Sequence, residues 1–542
     1  MHFFEKSKLD RNVFIYLLLA VLSTLSLIYC MQMDPWANSD TALYFNLAHN
    51  IAEGNGFVTN YPSGRLSFAG LNPPFYSMSL AGLDLLNLSL IEGVIVGNVL
   101  ICSVILIGCS IWAGRLTHNW LASLLVPLCL FLNLDFFTAF TGAMSEPLYL
   151  LLMLASLVTL LKGIAARQGG MPWLIFSAIL AGLAAFTRFI GVSSILLGCA
   201  AILIFMHIRP LKKWLYSFLY GAIGAIPLSY WFFIKSRSYS TDVNRSFVIP
   251  EDFIHRCAVF LYGIYDTILK WIPPANLIPD IRPRRVVVLV ICSVILGFFI
   301  ALNFKHYRAL WVKHDSRLVV LLVLLLFVIS YTFILFASSV FSSIPPDIYG
   351  RTLLPLLPGF LLILAILLGI SFDGFGNRRS VFTFAILLAF VAGYLPASAK
   401  NTFDWATNRH NMEEGYLQAK YVHSELLEVI RNLPSESRLI SNQDAVILLH
   451  TNKYPYGFPE FNCESIRARK GIPFGSGETA DDRRYRDGLL LAMFNDDVAR
   501  LFIDCLPENW IASRNIFFSQ SIPIVVTSDG TIYRYDLNTA KP

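Results

Sequence analysis

The chain has 542 residues, of which 56% are hydrophobic and only 14% charged, with a mean hydropathy of +0.59. That excludes a soluble globular protein, which cannot hide so much apolar surface, and points to a polytopic membrane protein that is mainly α-helical. The formal net charge of +6 suits basic residues facing an anionic leaflet, so the charged partner it implies is membrane lipid and not nucleic acid.

Apolar runs place about eleven transmembrane helices, near 13–31, 92–113, 120–140, 146–163, 172–187, 190–207, 213–235, 285–304, 317–340, 352–370 and 380–397. The segment 74–90 is apolar but holds Asp84 and Asn87, and reads as a short or re-entrant helix. Lys6, Lys8 and Arg11 precede the first span and favour a cytoplasmic N-terminus. With that orientation the short outer loops keep only Arg65, Arg188 and Arg351. No small-residue cleavage site follows the first span, which reads as a retained anchor. The transmembrane part, 1–400, carries outer loops at 32–73 and 236–284. The second of these mixes Arg237, Arg245, Arg256 and Lys270 with Tyr239, Phe253, Tyr262, Tyr265 and Trp271, as suits a lipid phosphate and a sugar ring and equally any membrane-surface loop.

Beyond residue 400 the composition changes, and 401–542 reads as a small α/β domain outside the membrane. A helix is expected from Glu414 to Leu433, with Pro434 just past its end. A strand follows at Arg438–Asn442, then a helix at Asp444–His450. A hairpin is expected at Ile522–Tyr535, around Asp529-Gly530. Of nine cysteines, none forms a CxxC pair, and Cys463 and Cys505 in this domain could join as a disulfide.

The first outer loop carries the chemistry. Leu43, Leu47 and Ile51 form an apolar stripe on a helix at 41–53, with Asn46, Asn50 and Glu53 as its polar stripe and Gly54 and Gly56 at its end. Such a helix would lie in the membrane interface. Asp40 stands at its start, read either as a carboxylate serving a substrate at the bilayer surface or as a helix cap, a role open also to Ser39. Arg188 and Arg351 sit at the outer ends of spans. A guanidinium fork there suits phosphate oxygens, while snorkelling towards water is the plainer reading. Glu146 opens a span after Ser145. It either favours the helix dipole, with Ser145 or Thr141 as cap, or holds an arginine or a substrate hydroxyl. Asp135 lies near a span end and needs a partner that the sequence does not name. GxxxxGK[ST], HExxH and GxSxG are absent, which removes support for a nucleotide-driven pump or a zinc protease.

These elements come in a telling order. An acidic residue followed by xxxY precedes the amphipathic helix. Asn72-Pro73-Pro74-Phe75-Tyr76 comes next, then Ser145-Glu146-Pro147-Leu148, Thr187-Arg188, and Tyr349-Gly350-Arg351 with Leu353-Leu354-Pro355. The order resembles the GT-C membrane glycosyltransferases, in particular family 39-like enzymes related to protein O-mannosyltransferases and aminoarabinose transferases. The resemblance implies an inverting hexosyl- or pentosyltransferase in the cell membrane. It would take a sugar from a polyprenyl-phosphate donor to a lipid, glycan or protein acceptor at the outer face. It implies Asp40 as catalytic base, Arg351 and Arg188 as donor-phosphate ligands, and Glu146, Tyr44 and Tyr349 as supporting residues. Many relatives have an Asp-Glu pair where this chain has Asp40-Thr41, which leaves the second carboxylate's role either empty or moved, to Glu53 or Glu146. It also leaves no clear carboxylate pair for a metal, so no cofactor is expected and a divalent metal stays open. Two other readings are a transporter or flippase of lipid-linked glycans and a scaffold presenting 401–542. A transporter would place polar groups mid-membrane in broken spans, and a scaffold would not need Asp40, Arg188 and Arg351 on one side.

Overall fold

The computed structural model describes residues 13–32, 34–60, 66–68, 72–166, 169–237, 247–271, 290, 297, 315–343, 345–373, 377–412, 415–417, 419–434, 437, 439–453, 455–457, 490–494 and 521–535. In chain order the helices are α1 Val13–Met31, α2 Ser39–Ala52, α3 Phe75–Leu85, α4 Leu90–Thr117, α5 Trp120–Phe131, α6 Leu134–Thr141, α7 Glu146–Ala165, α8 Met171–Thr187, α9 Val192–Phe205, α10 Pro210–Arg237, α11 Phe253–Trp271, α12 Ser316–Phe341, α13 Gly350–Leu353, α14 Leu356–Asp373, α15 Asn377–Met412, α16 Ala419–Val422, α17 Glu425–Asn432 and α18 Asp444–Thr451. The strands are β1 Val58–Asn60, β2 Leu66–Phe68, β3 Leu439–Ser441, β4 Tyr456–Gly457, β5 Leu490–Phe494, β6 Ser521–Val526 and β7 Gly530–Tyr535. Two compact units result: Met1–Pro35, Gly70–Tyr76 and Ile91–Met412 form the first, and Trp36–Ala69, Ser77–Leu90 and Glu413–Pro542 form the second.

In the first unit, ten of the eleven expected spans fall on helices, and 285–304 lies outside the described residues apart from two positions. Among the described residues α1, α4, α7, α10 and α12 are long and apolar enough to cross a bilayer. The bent pair α5–α6 makes a sixth, while α8, α9 and α14 are apolar but shorter. By this measure the expected eleven is not reached, though the chain is plainly a multi-pass membrane protein. The expected single span 120–140 bends by 64°. Leu132 ends α5, and the Asn133 side chain accepts from the Phe136 N–H to start α6 anew. Helix α7 packs on α8, α10 on α8 and α9, and α12 on α9 and α14. A further difference lies in the loop 236–284, which contains the amphipathic helix α11. Its Arg256 donates to the carbonyls of Ser342 at 2.8 Å and Val340 at 3.3 Å, bracing the end of α12.

In the second unit, β4-β3-β5-β7-β6 form a mixed sheet, with β3 parallel to β4 and β5 and β7 antiparallel to β5 and β6. The β6–β7 hairpin turns at Asp529 as expected. Leu426, Leu427 and Ile430 of α17 pack on Val446, Ile447, Ala492 and Ile532. The helix expected over Glu414–Leu433 is divided into α16 and α17, because the Ser424 side chain accepts from the Leu427 N–H and restarts the helix. Helix α2 belongs to this unit and packs on α18, with Ala42 and Leu43 against Ala445 and Leu448. Its expected polar stripe is not a solvated face. Asn46 and Asn50 are buried, and the Asn46 amide donates to the side chain of Asn452. Gly54 and Gly56, both at positive φ, end the helix. The segment expected at 74–90 is the helix α3, at 11 residues about 16 Å long and so too short to span. Cys463, Cys505 and Arg65 lie outside the described residues.

Candidate active site

The site in the first unit starts from a tight turn. Asn98 of α4 donates to the carbonyls of Phe140, at 3.1 Å, and Gly142, at 2.8 Å, and so fixes the turn between α6 and α7. Pro147 lies in the first turn of α7, where the missing N–H of proline costs no helical hydrogen bond. Neither expected cap holds. The Ser145 hydroxyl makes no capping bond but accepts from Arg188 Nη1 at 3.3 Å, and the Thr141 hydroxyl donates back to Phe137 and Thr138. Glu146 is therefore delivered into the bundle with a side chain 1% exposed.

Three distant segments meet on that carboxylate. Arg188, in extended backbone just past α8, places Nη1 at 2.6 Å from Glu146 Oε1. Arg351 of α13 donates its Nε–H to the same oxygen. The arginine side chains are 22% and 18% exposed, so a solute can reach the cations and not the carboxylate that anchors them. Two guanidinium groups thus share one carboxylate oxygen. Of the two readings for Glu146, the arginine-holding one describes its contacts. The second carboxylate oxygen, Oε2, is buried, with no hydrogen-bond partner among the described residues.

Arg351 is placed by its neighbours. The Tyr349 N–H donates to Thr352 Oγ1 at 3.0 Å, and Tyr331 OH donates to the Thr352 carbonyl at 2.5 Å. A Cβ on Gly350 would lie 2.1 Å from either carboxylate oxygen of Asp135, so only glycine allows this approach. Asp135 has the partner that the sequence left unnamed: Trp271 Nε1, at the end of α11, donates to it at 2.7 Å. Tyr349 itself is exposed. Ser145, Asp135 and Trp271 are additions to the expected site. A serine directly before Glu146 is a local signal; a contact between Asp135 and Trp271 has none.

Asp40 and Tyr44 belong to the second unit, on α2. The cap of that helix is Asn38. Its side chain accepts from the Thr41 N–H at 3.2 Å, and Thr41 Oγ1 accepts from the Asn38 N–H at 3.1 Å. The capping reading of Ser39 or Asp40 is thus corrected: the helix end is satisfied one residue earlier, and Asp40 sits in the first turn, half-buried. Tyr44 is buried. Glu53 lies 2.8 Å from His49 Nε2. Among the described residues no group of three His, Cys, Asp or Glu is arranged to hold a metal ion.

No family model and no curated protein matches the sequence. Solved structures do. ArnT from Cupriavidus metallidurans, bound to undecaprenyl phosphate, superposes with a TM-score of 0.54 at 14% identity over 97% of this chain and 99% of that one. The same protein in the apo state gives 0.53 at 13% identity, over 97% and 98%. The archaeal oligosaccharyltransferase AglB from Archaeoglobus fulgidus, with a peptide and a dolichol phosphate, gives 0.48 at 10% identity over 99% and 75%. This chain has the GT-C fold of the membrane glycosyltransferases.

Proposed function

We propose that the protein is an inverting glycosyltransferase of the cell membrane, moving a sugar from a polyprenyl-phosphate donor to a lipid, glycan or protein acceptor at the outer face. The observation that carries the reading is the Glu146–Arg188–Arg351 cluster: two reachable guanidiniums pinned side by side on one inaccessible carboxylate. That is a receptor for a phosphate oxygen. The GT-C fold supports it, as does the undecaprenyl phosphate bound by ArnT.

In this reading Asp40 takes the proton of the acceptor hydroxyl. The acceptor oxygen attacks the anomeric carbon from the face opposite the phosphate. The carbon–oxygen bond to phosphate breaks and its electron pair stays on the phosphate. Arg351 and Arg188 stabilise that developing charge. One carboxylate and one displacement invert the anomeric centre. Glu146 positions the arginines, while Tyr44 and Tyr349 support the sugar and the phosphate loop. With Asn38 serving as the cap, Asp40 is not required for that task.

The competing reading, a transporter or flippase, draws on the 64° break between α5 and α6. Purified full-length protein, given a panel of radiolabelled polyprenyl-phosphate sugars and cell-envelope acceptors, separates the two. Transfer by wild type and none by Asp40→Asn is expected. Wild-type turnover in Asp40→Asn would remove the base assignment. Vesicle translocation of the donor without any transfer would favour the transporter.

A further inference from the structure

Helix α11 of the outer loop takes no part in the chemistry above, yet it touches the chain that leads to Arg351 from its start to its end. Arg256 donates to the carbonyls of Val340 and Ser342, and Val248, just ahead of the helix, donates its N–H to the Phe341 carbonyl at 2.8 Å. Further along, Gly263 is buried against Ile348: a Cβ there would meet the Ile348 side chain at 2.6 Å and its carbonyl oxygen at 2.7 Å. At the last residue, the buried Trp271 donates its indole N–H to Asp135 at 2.7 Å. That carboxylate lies directly against Gly350, the residue before Arg351. Arg256, Phe260, Gly263, Thr267 and Trp271 recur at the spacing of one helix face, and the last four are buried.

We propose that Asp135 is a positioning residue for the donor phosphate: pinned by Trp271, its carboxylate is the seat on which the Gly350–Arg351 turn rests, and it keeps the Arg351 guanidinium in place beside Glu146. The inference rests on the reading of Arg351 as a phosphate ligand. Gly350 approaches both carboxylate oxygens more closely than a residue with a Cβ could, so those oxygens set the height of the turn. One residue on, Arg351 must reach Glu146 with its Nε–H. A binding group of this kind works only while it stays within about 0.5 Å of its place, so a turn that sinks by the depth of a carboxyl withdraws the guanidinium. Stability gives no reason for the pair. A carboxylate at a span end is costly to keep, and replacing both partners of a buried hydrogen bond by apolar groups of the same shape is nearly neutral. What Asp135 supplies, and an apolar residue would not, is a polar seat fixed from α11.

The test is a double-mutant cycle on the binding of undecaprenyl phosphate to full-length protein in mixed micelles. Arg351→Met and Asp135→Ala should each weaken binding about tenfold, the factor that one hydrogen bond between charged groups supplies. The double variant should bind no more weakly than Arg351→Met, because a seat has nothing to act on once its arginine is gone. Asp135→Asn fills the same volume and still accepts from Trp271, and should bind as wild type does. Trp271→Phe keeps the ring and removes the N–H. It should weaken binding in the same Arg351-dependent way, and it carries the cycle if Asp135→Ala does not fold. Losses that add in the double variant would overturn the proposal, since Asp135 would then act on the fold or on the lipid and not through Arg351. A loss in Asp135→Asn equal to that in Asp135→Ala would overturn it too, as would undiminished binding by Asp135→Ala beside a weakened Arg351→Met. Undiminished binding by Arg351→Met is a different failure: it removes the phosphate reading of the cluster itself, and the seat with it.

Discussion

If Glu146 is stabilised by two arginines on one oxygen, removing them must be strongly non-additive. Arg351→Met leaves Arg188 Nη1 at 2.6 Å from the carboxylate, and Arg188→Met leaves the Arg351 Nε–H donor. Each single change removes one hydrogen bond to a charged group, which costs about 1.5 kcal/mol, the low end for arginines that are about a fifth exposed. The double change strands a carboxylate that is 1% exposed, and loss of the last partner of a buried charge costs about 3–5 kcal/mol. The double variant should therefore be less stable than the sum of the singles by roughly 2 kcal/mol. Adding Glu146→Gln to it should restore about that amount, because a fully neutral set strands no charge.

Equilibrium unfolding of the five proteins in mixed micelles, followed by tryptophan fluorescence, measures these differences. The diagnostic is a sign: a third substitution at the same site raises stability. Singles and double that add within about 0.5 kcal/mol would mean that the carboxylate finds another partner on losing both arginines. A triple variant weaker than the double would refute the reasoning outright.

Three further outcomes follow from local geometry. Asn38→Ala should cost about 1 kcal/mol and speed hydrogen exchange at the Thr41 amide, whereas Asp40→Asn should do neither; equal effects would return the cap to Asp40. Gly350→Ala forces a methyl into the Asp135 carboxylate and should cost about 1–3 kcal/mol in the same unfolding assay, with unchanged stability showing that the carboxylate can swing away. Burial holds the His450 imidazole below the ordinary 6.5, against a hydrogen bond to the Tyr416 carbonyl that raises it and the nearby Arg431 that lowers it further; the Tyr421 ring packs beside it. The folded state then resists protonation that the unfolded chain accepts, so this contribution to stability is full above 6.5 and is lost as pH falls towards the folded value. Hydrogen exchange in α18 should rise below pH 6.5 in wild type and lose that dependence in His450→Gln.

Much of the helical frame was legible, because an apolar run of about 20 residues has few other fates in a membrane protein. What the runs hide are the breaks. Residues 120–140 are apolar but for Ser123, Asn133, Asp135 and Thr138, yet Asn133 caps a new helix there. The α2 cap was obscured by three good candidates in a row, Asn38, Ser39 and Asp40. Thr41 decides among them, since only from Asn38 is it three residues on. The polar stripe of α2 misled for another reason: Asn46 and Asn50 look solvated by composition, but amides also bury well once paired, and Asn452 lies some 400 residues away in sequence. The site was legible residue by residue, with an arginine held by Glu146 as one open reading, but not which arginines meet on its carboxylate. Glu146, Arg188 and Arg351 each had a plain alternative, and Arg351 lies 205 residues from Glu146, a separation no local pattern spans.

The cluster admits a sharper question, whether Glu146 helps or hinders an anion. Coulomb's law alone says it hinders: Glu146→Gln would make the local charge more positive by one unit and tighten the hold on polyprenyl phosphate. The geometry argues the reverse. An arginine side chain has about 2 kcal/mol of rotamer entropy to lose on binding, and here two of them are already immobilised on one buried oxygen. The extra charge acts at partly exposed guanidiniums, where water and salt weaken it, whereas the ordering cost of both side chains returns in full. Glu146→Gln should therefore bind polyprenyl phosphate about tenfold more weakly, a loss of roughly 1.4 kcal/mol, with the deficit persisting at high salt. Isothermal titration at low and high ionic strength decides it. Tighter binding by the variant at low salt would show that Glu146 opposes the donor phosphate and does not position its ligands.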